Sequence, residues 1–301
     1  MTAFTLTTDA DGIALVTWNM ADRSMNVITQ DVMKELDAII DKVVADAAIK
    51  GCVITSGKDN FSGGADLTML EGFSRQYAQM LRSDGEEKAN LAFFEGSRKL
   101  SQLYRKLETC GKPFAAAING VCLGGAFELA LACHYRVVSD GEKTRVGLPE
   151  VKIGLFPGAG GTTRVSRLMQ TGDALQMLFK GDQLRPQQAK VMGLVHEIAP
   201  TAEIVDKAKA WIKGGGKAVA PWDQKDWRAP SGRVYSPQGM MTWPAANAIY
   251  RRETQDNYPA VRAILHSVYE GLQLPMDLAL QVESRWVATI LRPREAASLI
   301  R

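Results

Sequence analysis

Glu128 is the only charged residue in the twenty-residue run FAAAINGVCLGGAFELALAC, residues 114–133. A carboxylate in such a run is desolvated, which favours its protonated form and suits it to proton exchange near neutral pH. Its position alone leaves a second reading open, a helix residue whose head reaches solvent or caps a neighbouring amide. A second carboxylate, Glu150, lies in VGLPEVKIGLFPGAGG, whose only charges are Glu150 and Lys152. If the two glutamates share one site, repulsion and burial separate their proton affinities into an acid and a base. Pairing of Glu150 with Lys152 or Arg164 is the non-chemical alternative.

Two glycine-rich turns could supply the electrophilic half of such chemistry. Gly124 and Gly125 precede the apolar stretch AFELALAC, and the first N–H groups of a helix there are free to face an anion or a developing oxyanion. Ser62-Gly63-Gly64-Ala65-Asp66 forms a second amide-rich turn, and together the two could offer two donors to one carbonyl oxygen. An ordinary tight turn is the plain reading of Gly124-Gly125, and Asp66 serves equally as a helix cap or as a substrate contact. Other schemes find no support. The histidines His134, His196 and His266 stand outside any GxSxG elbow, HExxH motif or ligand cluster, and Gly158-Ala159-Gly160-Gly161 lacks the GxGxxG spacing of a dinucleotide fingerprint. No metal or cofactor is expected from these motifs.

The elements that must position these residues can be read from the same text. FTLTTDADGIALVTW predicts a hairpin about a DADG turn, and TQDVMKELDAIIDKVVADAAI an amphipathic helix capped by Thr29. GCVITSG and FAAAI read as buried strands, and Glu86 to Thr109 as one long helix. The 114–133 run is apolar enough to suggest a membrane span, but its Asn-Gly and Gly-Gly divide it into strand, turn and helix. Strands and helices alternate to about residue 200. Beyond that point five of the six tryptophans occur, PWDQKDWRAPSGRVYSPQG has little periodicity, and helical spacing returns from Pro259 to Ile300. The final REAASLIR has no stop signal, so continuation into a longer chain is expected.

Composition narrows the class. The 301 residues are 46% hydrophobic and 23% charged with a net charge of +3, which suits a folded globular protein and argues against an electrostatic nucleic-acid binder. Of the four cysteines, Cys52, Cys122 and Cys133 sit in apolar runs and Cys110 stands apart, with no CxxC pair. With no leader-like segment at the N-terminus, a cytoplasmic location is expected.

Taken together, FSGGADLTML, INGVCLGGAFELALACHYRV and LPEVKIGLFPGAGGTTRVSRL, in this order, resemble the enoyl-CoA hydratase/isomerase, or crotonase, superfamily. The resemblance implies an α/β fold of the ClpP/crotonase type, a spiral of ββα units with a C-terminal helical region. It further implies a CoA thioester as substrate, with no cofactor, and an oxyanion hole from the amides of Ala65 and Gly125. Glu128 and Glu150 take the places of the two hydratase carboxylates, Glu128 activating water and Glu150 protonating Cα. Ala65, Asp66, Leu67, Thr68 and Gly125 would lie along the acyl-CoA, and the Arg23–Val27 loop near its nucleotide end, where Arg23-Ser24-Met25-Asn26 replaces the common Lys-Ala-Leu-Asn.

The stretch NYPAVRAILHSVYEGLQLPMDLALQVESRW is similar to the connecting region of multifunctional fatty-acid oxidation α-subunits, in which a hydratase is fused to a 3-hydroxyacyl-CoA dehydrogenase. The expected organisation is therefore a hydratase domain over 1–200 and a helical linker over 201–301 leading toward a dehydrogenase, to which NAD would belong. In this resemblance the helix around Leu272–Trp286 covers the site. The expected activity is hydration of 2-trans-enoyl-CoA. The alternatives are Δ3-Δ2-enoyl-CoA isomerisation and an acyl-CoA-binding assembly module inactive without the dehydrogenase part. Expected partners are the enoyl-CoA thioester and either further copies of the chain or a thiolase β-subunit, with neither nucleic acid nor a membrane span.

Overall fold

The computed structural model describes residues 2–291. Its strands are β1 (Phe4–Thr8), β2 (Ile13–Trp18), β3 (Gly51–Ser56), β4 (Phe114–Ile118), β5 (Val121–Leu123), β6 (Tyr135–Ser139), β7 (Arg145–Gly147), β8 (Gln183–Leu184) and β9 (Glu197–Ala199). The helices are α1 (Gln30–Ala45), α2 (Leu67–Ser83), α3 (Glu86–Ser97), α4 (Lys99–Thr109), α5 (Gly125–Ala132), α6 (Gly161–Leu168), α7 (Thr171–Lys180), α8 (Pro186–Val191), α9 (Ile204–Lys213), α10 (Pro237–Thr254), α11 (Pro259–Gly271) and α12 (Met276–Leu291). Two compact units divide the chain, each assembled from three separated stretches. The first comprises residues 1–65, 103–147 and 183–224, the second 66–102, 148–182 and 225–301.

The first unit is built on a six-stranded sheet in the order β1-β2-β3-β4-β6-β9. The β1–β2 pair is the antiparallel hairpin that the DADG turn predicts, and the remaining pairs are parallel. Parallel strands are covered on both faces, which is why β4 is Phe-Ala-Ala-Ala-Ile with every residue buried. The small side chains of Ala115 and Ala117 pack with Val53, Val137, Ala208 and Ile212, bringing α9 onto the sheet. A second sheet, β5-β7-β8, carries the turn before α5. Thr29 caps α1 as expected, accepting from Val32 N at 3.2 Å.

The second unit is helical. Its core joins Tyr77, Ala89, Phe93, Leu155, Ala288 and Leu291, and Arg167 of α6 ties the α11–α12 turn by donating to Gly271 O at 2.8 Å and Leu274 O at 3.0 Å. The 3₁₀ turn Glu150–Ile153 belongs to this unit.

The expectation of one helix over 86–109 is corrected, because the chain forms α3 and α4 with a break at Arg98. Arg98 N bonds to Phe94 O and Gly96 O at the end of α3, and α4 starts afresh at Lys99. The apolar spacing alone continues across the break and hides it. The apolar run over 114–133 divides into β4, β5 and α5, and among the described residues no helix is long and apolar enough to cross a membrane. The terminal REAASLIR lies outside the described residues.

Candidate active site

In the first unit, the two glycine-rich turns come together. Ser62 N donates to Val121 O and Leu123 N to Ser62 O, each at 3.1 Å, which splices the 62–65 turn onto β5 just ahead of α5. Ile28 N donates to Gly64 O at 2.8 Å and holds the other side of the turn. Gly64 has φ +98°, and a Cβ there would lie 2.8 Å from Leu123 O and 3.4 Å from Gly125 N. Only glycine permits both that backbone conformation and that approach. Gly124, with φ 55° and ψ −136°, is held to the same residue type.

Most amides of these turns are used within the protein. Gly63 N donates to Asn26 O at 3.1 Å, Gly64 N to Ser62 Oγ at 3.2 Å and Gly124 N to Gly147 O at 2.9 Å. Among the described residues the N–H groups of Ala65 and Gly125 have no such acceptor. For Gly125 the reason is its place as the first residue of α5, where no preceding turn supplies a carbonyl. On its other side, Gly125 O accepts from the Tyr104 hydroxyl at 2.9 Å, which anchors the start of the helix.

Glu128 lies three residues after Gly125, on the same face of α5, and helical side chains lean back toward the N-terminus. It is 3% exposed in a helix whose eight residues are all buried, and its N–H donates to Gly124 O at 3.0 Å. The first unit therefore holds both candidate oxyanion donors and one of the two candidate carboxylates.

The second unit holds Glu150. The residue is half-buried, but its Oε2 is fully enclosed and accepts no hydrogen bond among the described residues. Burial pushes its carboxyl up to about 8 against a small opposing effect of its own backbone N–H, and the Glu283 carboxylate adds to the rise. The charged group acting on Glu150 within this unit is thus another acid. Of the partners considered from sequence, Lys152 is exposed and Arg164 donates through Nη1 to Ala159 O at 3.1 Å.

Glu283 escaped the sequence reading. It is fully buried on α12 and accepts from Gly160 N at 2.5 Å, Thr163 N at 2.9 Å, Thr163 Oγ1 at 2.9 Å and Thr162 Oγ1. A usable signal was present: Glu283 sits at helical spacing from Met276, Ala279 and Leu280, a charge on an apolar face of the kind that singled out Glu128.

Asp66 acts as the N-cap of α2, its Oδ1 accepting from Thr68 N at 2.8 Å and Thr68 Oγ1 at 2.6 Å. Thr68 is exposed, and the Leu67 side chain lies outside the described residues. The histidines of the first unit have structural bonds. His134 Nδ1 accepts from Phe114 N at 3.0 Å and His196 Nδ1 from Arg136 N at 3.1 Å. Burial lowers both pKa values, that of His196 to about 3 with Arg136 adding to the effect, so both rings are neutral. Cys52, Cys122 and Cys133 are buried free thiols, with Cys110 half-buried.

The chain is 37% identical over 301 residues to the fatty acid oxidation complex subunit alpha of Shewanella frigidimarina, and 37% identical over 302 residues to that of Shewanella amazonensis. Each alignment takes in 98% of this chain and 40% of the relative, so the chain spans well under half the length of these curated proteins. Among solved structures, an enoyl-CoA hydratase from Bacillus anthracis superposes with a TM-score of 0.58 at 23% identity, covering 95% of this chain and 89% of the other. Pseudomonas aeruginosa DspI gives a TM-score of 0.61 at 23% identity, covering 90% and 95%. These likenesses show the crotonase fold. Residues 8–215 match the family model described as enoyl-CoA hydratase/isomerase, and the chain therefore belongs to the enoyl-CoA hydratase/isomerase family.

Proposed function

We propose that this chain hydrates 2-trans-enoyl-CoA to 3-hydroxyacyl-CoA in fatty-acid β-oxidation. The observation that carries the reading is the junction of the two glycine turns, which leaves the Ala65 and Gly125 amides without an acceptor among the described residues, with Gly125 one helical turn ahead of buried Glu128. Two N–H donors on the thioester oxygen stabilise the negative charge that develops there as the Cα=Cβ bond is attacked.

In this reading Glu128 takes a proton from water as the water oxygen bonds to Cβ. The π electrons move toward Cα and the thioester oxygen, giving an enolate held by Ala65 and Gly125. Glu150 then delivers its proton to Cα, and the enolate returns to the thioester. One water is added in total, and a proton passing from Glu128 to Glu150 through solvent restores the starting state. A carboxyl that holds its proton to about pH 8 suits the donor role. Asp66, Leu67 and Thr68 are proposed along the acyl-CoA.

Loss of the ultraviolet absorbance of a short 2-trans-enoyl-CoA tests the reading, because hydration removes the conjugated double bond. Loss that Glu128→Gln and Glu150→Gln each prevent supports it, and near-wild-type rates in either variant overturn it. The Glu150 Oε2, which accepts no hydrogen bond among the described residues, favours a second activity, Δ3-Δ2-enoyl-CoA isomerisation, in which the Glu150 carboxylate would take a proton from C2 of a 3-enoyl thioester and the resulting acid would return it to C4. Product analysis with that substrate separates the two. Tight acyl-CoA binding without turnover would instead identify a binding or assembly module. The relatives named as complex subunits support a multisubunit setting, and a thiolase subunit or further copies of the chain are the partners proposed for it.

A further inference from the structure

Glu283 and Glu150 belong to the same unit, and their surroundings are unequal. Among the described residues, the hydrogen bonds that Glu283 accepts come from the 160–163 segment, where Gly160 N, Thr162 Oγ1, Thr163 N and Thr163 Oγ1 converge on its two oxygens. These donors favour a carboxylate: Gly160 N and Thr163 N can only donate, one to each oxygen, whereas a protonated carboxyl would require a threonine hydroxyl to turn and accept. Glu150 has the opposite setting, with an enclosed Oε2 that accepts nothing among the described residues. A single proton shared by such a pair therefore resides on Glu150.

We propose that Glu283 is a positioning residue for Glu150: from α12 it anchors the turn that follows the Glu150 segment, and as the ionised member of a buried carboxyl pair it keeps Glu150 protonated. The proposal deepens the reading of Glu150 as proton donor and rests on it for its catalytic meaning. A C-terminal helix thereby enters the chemistry without touching substrate.

The electrostatic surroundings point the same way. Burial is the main cause of the rise in Glu150, with Glu283 adding to it; burial also raises Glu283, against the pull of its donors. The remaining charged and titratable groups on the elements packed around the Glu150 turn are differently engaged. Lys152, Asp173 and Lys180 are exposed, Tyr258 donates its hydroxyl to Val151 O at 2.5 Å, Arg164 donates to Ala159 O, and Arg167 donates to Thr163 O, Gly271 O and Leu274 O.

The test is the titration of Glu150 in the full chain without substrate, followed by ¹³C NMR of glutamate-labelled protein with the resonance assigned through Glu150→Gln. In Glu283→Gln the Glu150 midpoint is expected to fall by about one pH unit, a tenfold loss of proton affinity. The high-pH limb of the hydration profile should move down with it. Thr163→Val removes one hydroxyl donor, lets Glu283 take the proton more readily, and should shift Glu150 in the same direction by less. An unmoved Glu150 midpoint in whichever of these variants folds overturns the proposal. A purely structural role for Glu283 would lower rate or stability without moving either midpoint. Because the NMR titration involves no turnover, an active Glu150→Gln enzyme would remove the catalytic reading while leaving the coupling of the two carboxyls to be judged separately.

Discussion

The two units offer opposite solutions to building reactive groups. In the first, the candidate electrophilic donors are backbone: two N–H groups exposed by a tight splice of glycine turns, fixed through Ser62, Ile28 and the Tyr104 hydroxyl. In the second, the reactive feature is a pair of buried carboxyls whose inequality comes from side-chain and backbone donors on Glu283 alone. Backbone donors depend on conformation and barely on pH, whereas the carboxyl pair depends on protonation. Changes to the glycine splice of the first unit should therefore alter rates at every pH, and changes to the carboxyl pair of the second should move where on the pH scale activity and stability fall.

The largest effects should come from the carboxylates themselves. Glu128→Gln and Glu150→Gln are each expected to lower hydration by roughly 10²–10⁴-fold, the usual contribution of general acid or base catalysis, with circular dichroism unchanged. Gly64→Ala comes next. Its Cβ would lie 2.8 Å from Leu123 O at φ +98°, so the splice must open, and a loss of about 10²-fold in kcat at all pH values is expected. That variant should also unfold more easily by about 1–3 kcal/mol, the usual magnitude of backbone strain. A shifted pH midpoint with an unchanged plateau in Gly64→Ala would dissolve the contrast between the units.

The pH dependence of stability sharpens the second half of the comparison. The Glu150 carboxyl is raised in the folded protein from 4.5 to about 8, so the folded state binds more protons than the unfolded one across that interval. Its contribution is full below pH 4.5 and is lost as pH rises toward 8. Tm should accordingly decline more steeply across this window in the wild type than in Glu150→Gln, and parallel Tm curves for the two would refute the raised carboxyl. The smallest effect is expected from Tyr104→Phe, which removes the hydrogen bond to Gly125 O. We expect about 1 kcal/mol less stability in denaturant unfolding and a rate reduced only a few-fold.

Much of this protein was legible locally. The hairpin about Asp9–Gly12, the Thr29 cap, the buried FAAAI strand and the glycine-led α5 each depend on residues close together in sequence, where turn chemistry and periodicity act directly. The break at Arg98 was invisible for the complementary reason, since an apolar stripe continues across it unchanged. Asp66 left two readings open, and the structure shows it capping α2 through Thr68, two residues away.

What the sequence by itself determined was most of the elements, the carboxylates Glu128 and Glu150 and the two glycine turns, marked by short-range signals of charge in apolar text and glycine at turns, while the family resemblance of those motifs supplied Ala65 and Gly125 as the candidate amides. Tertiary structure alone decided that the Gly64 turn meets the start of α5, since the chain separates them by some sixty residues and only the splice onto β5 brings them within contact. It likewise decided that the acid acting on Glu150 within its unit is Glu283, well over a hundred residues along the chain. Electrostatic coupling and amide convergence are set by distance in space, and no pattern within one segment encodes which remote segment will share its interior.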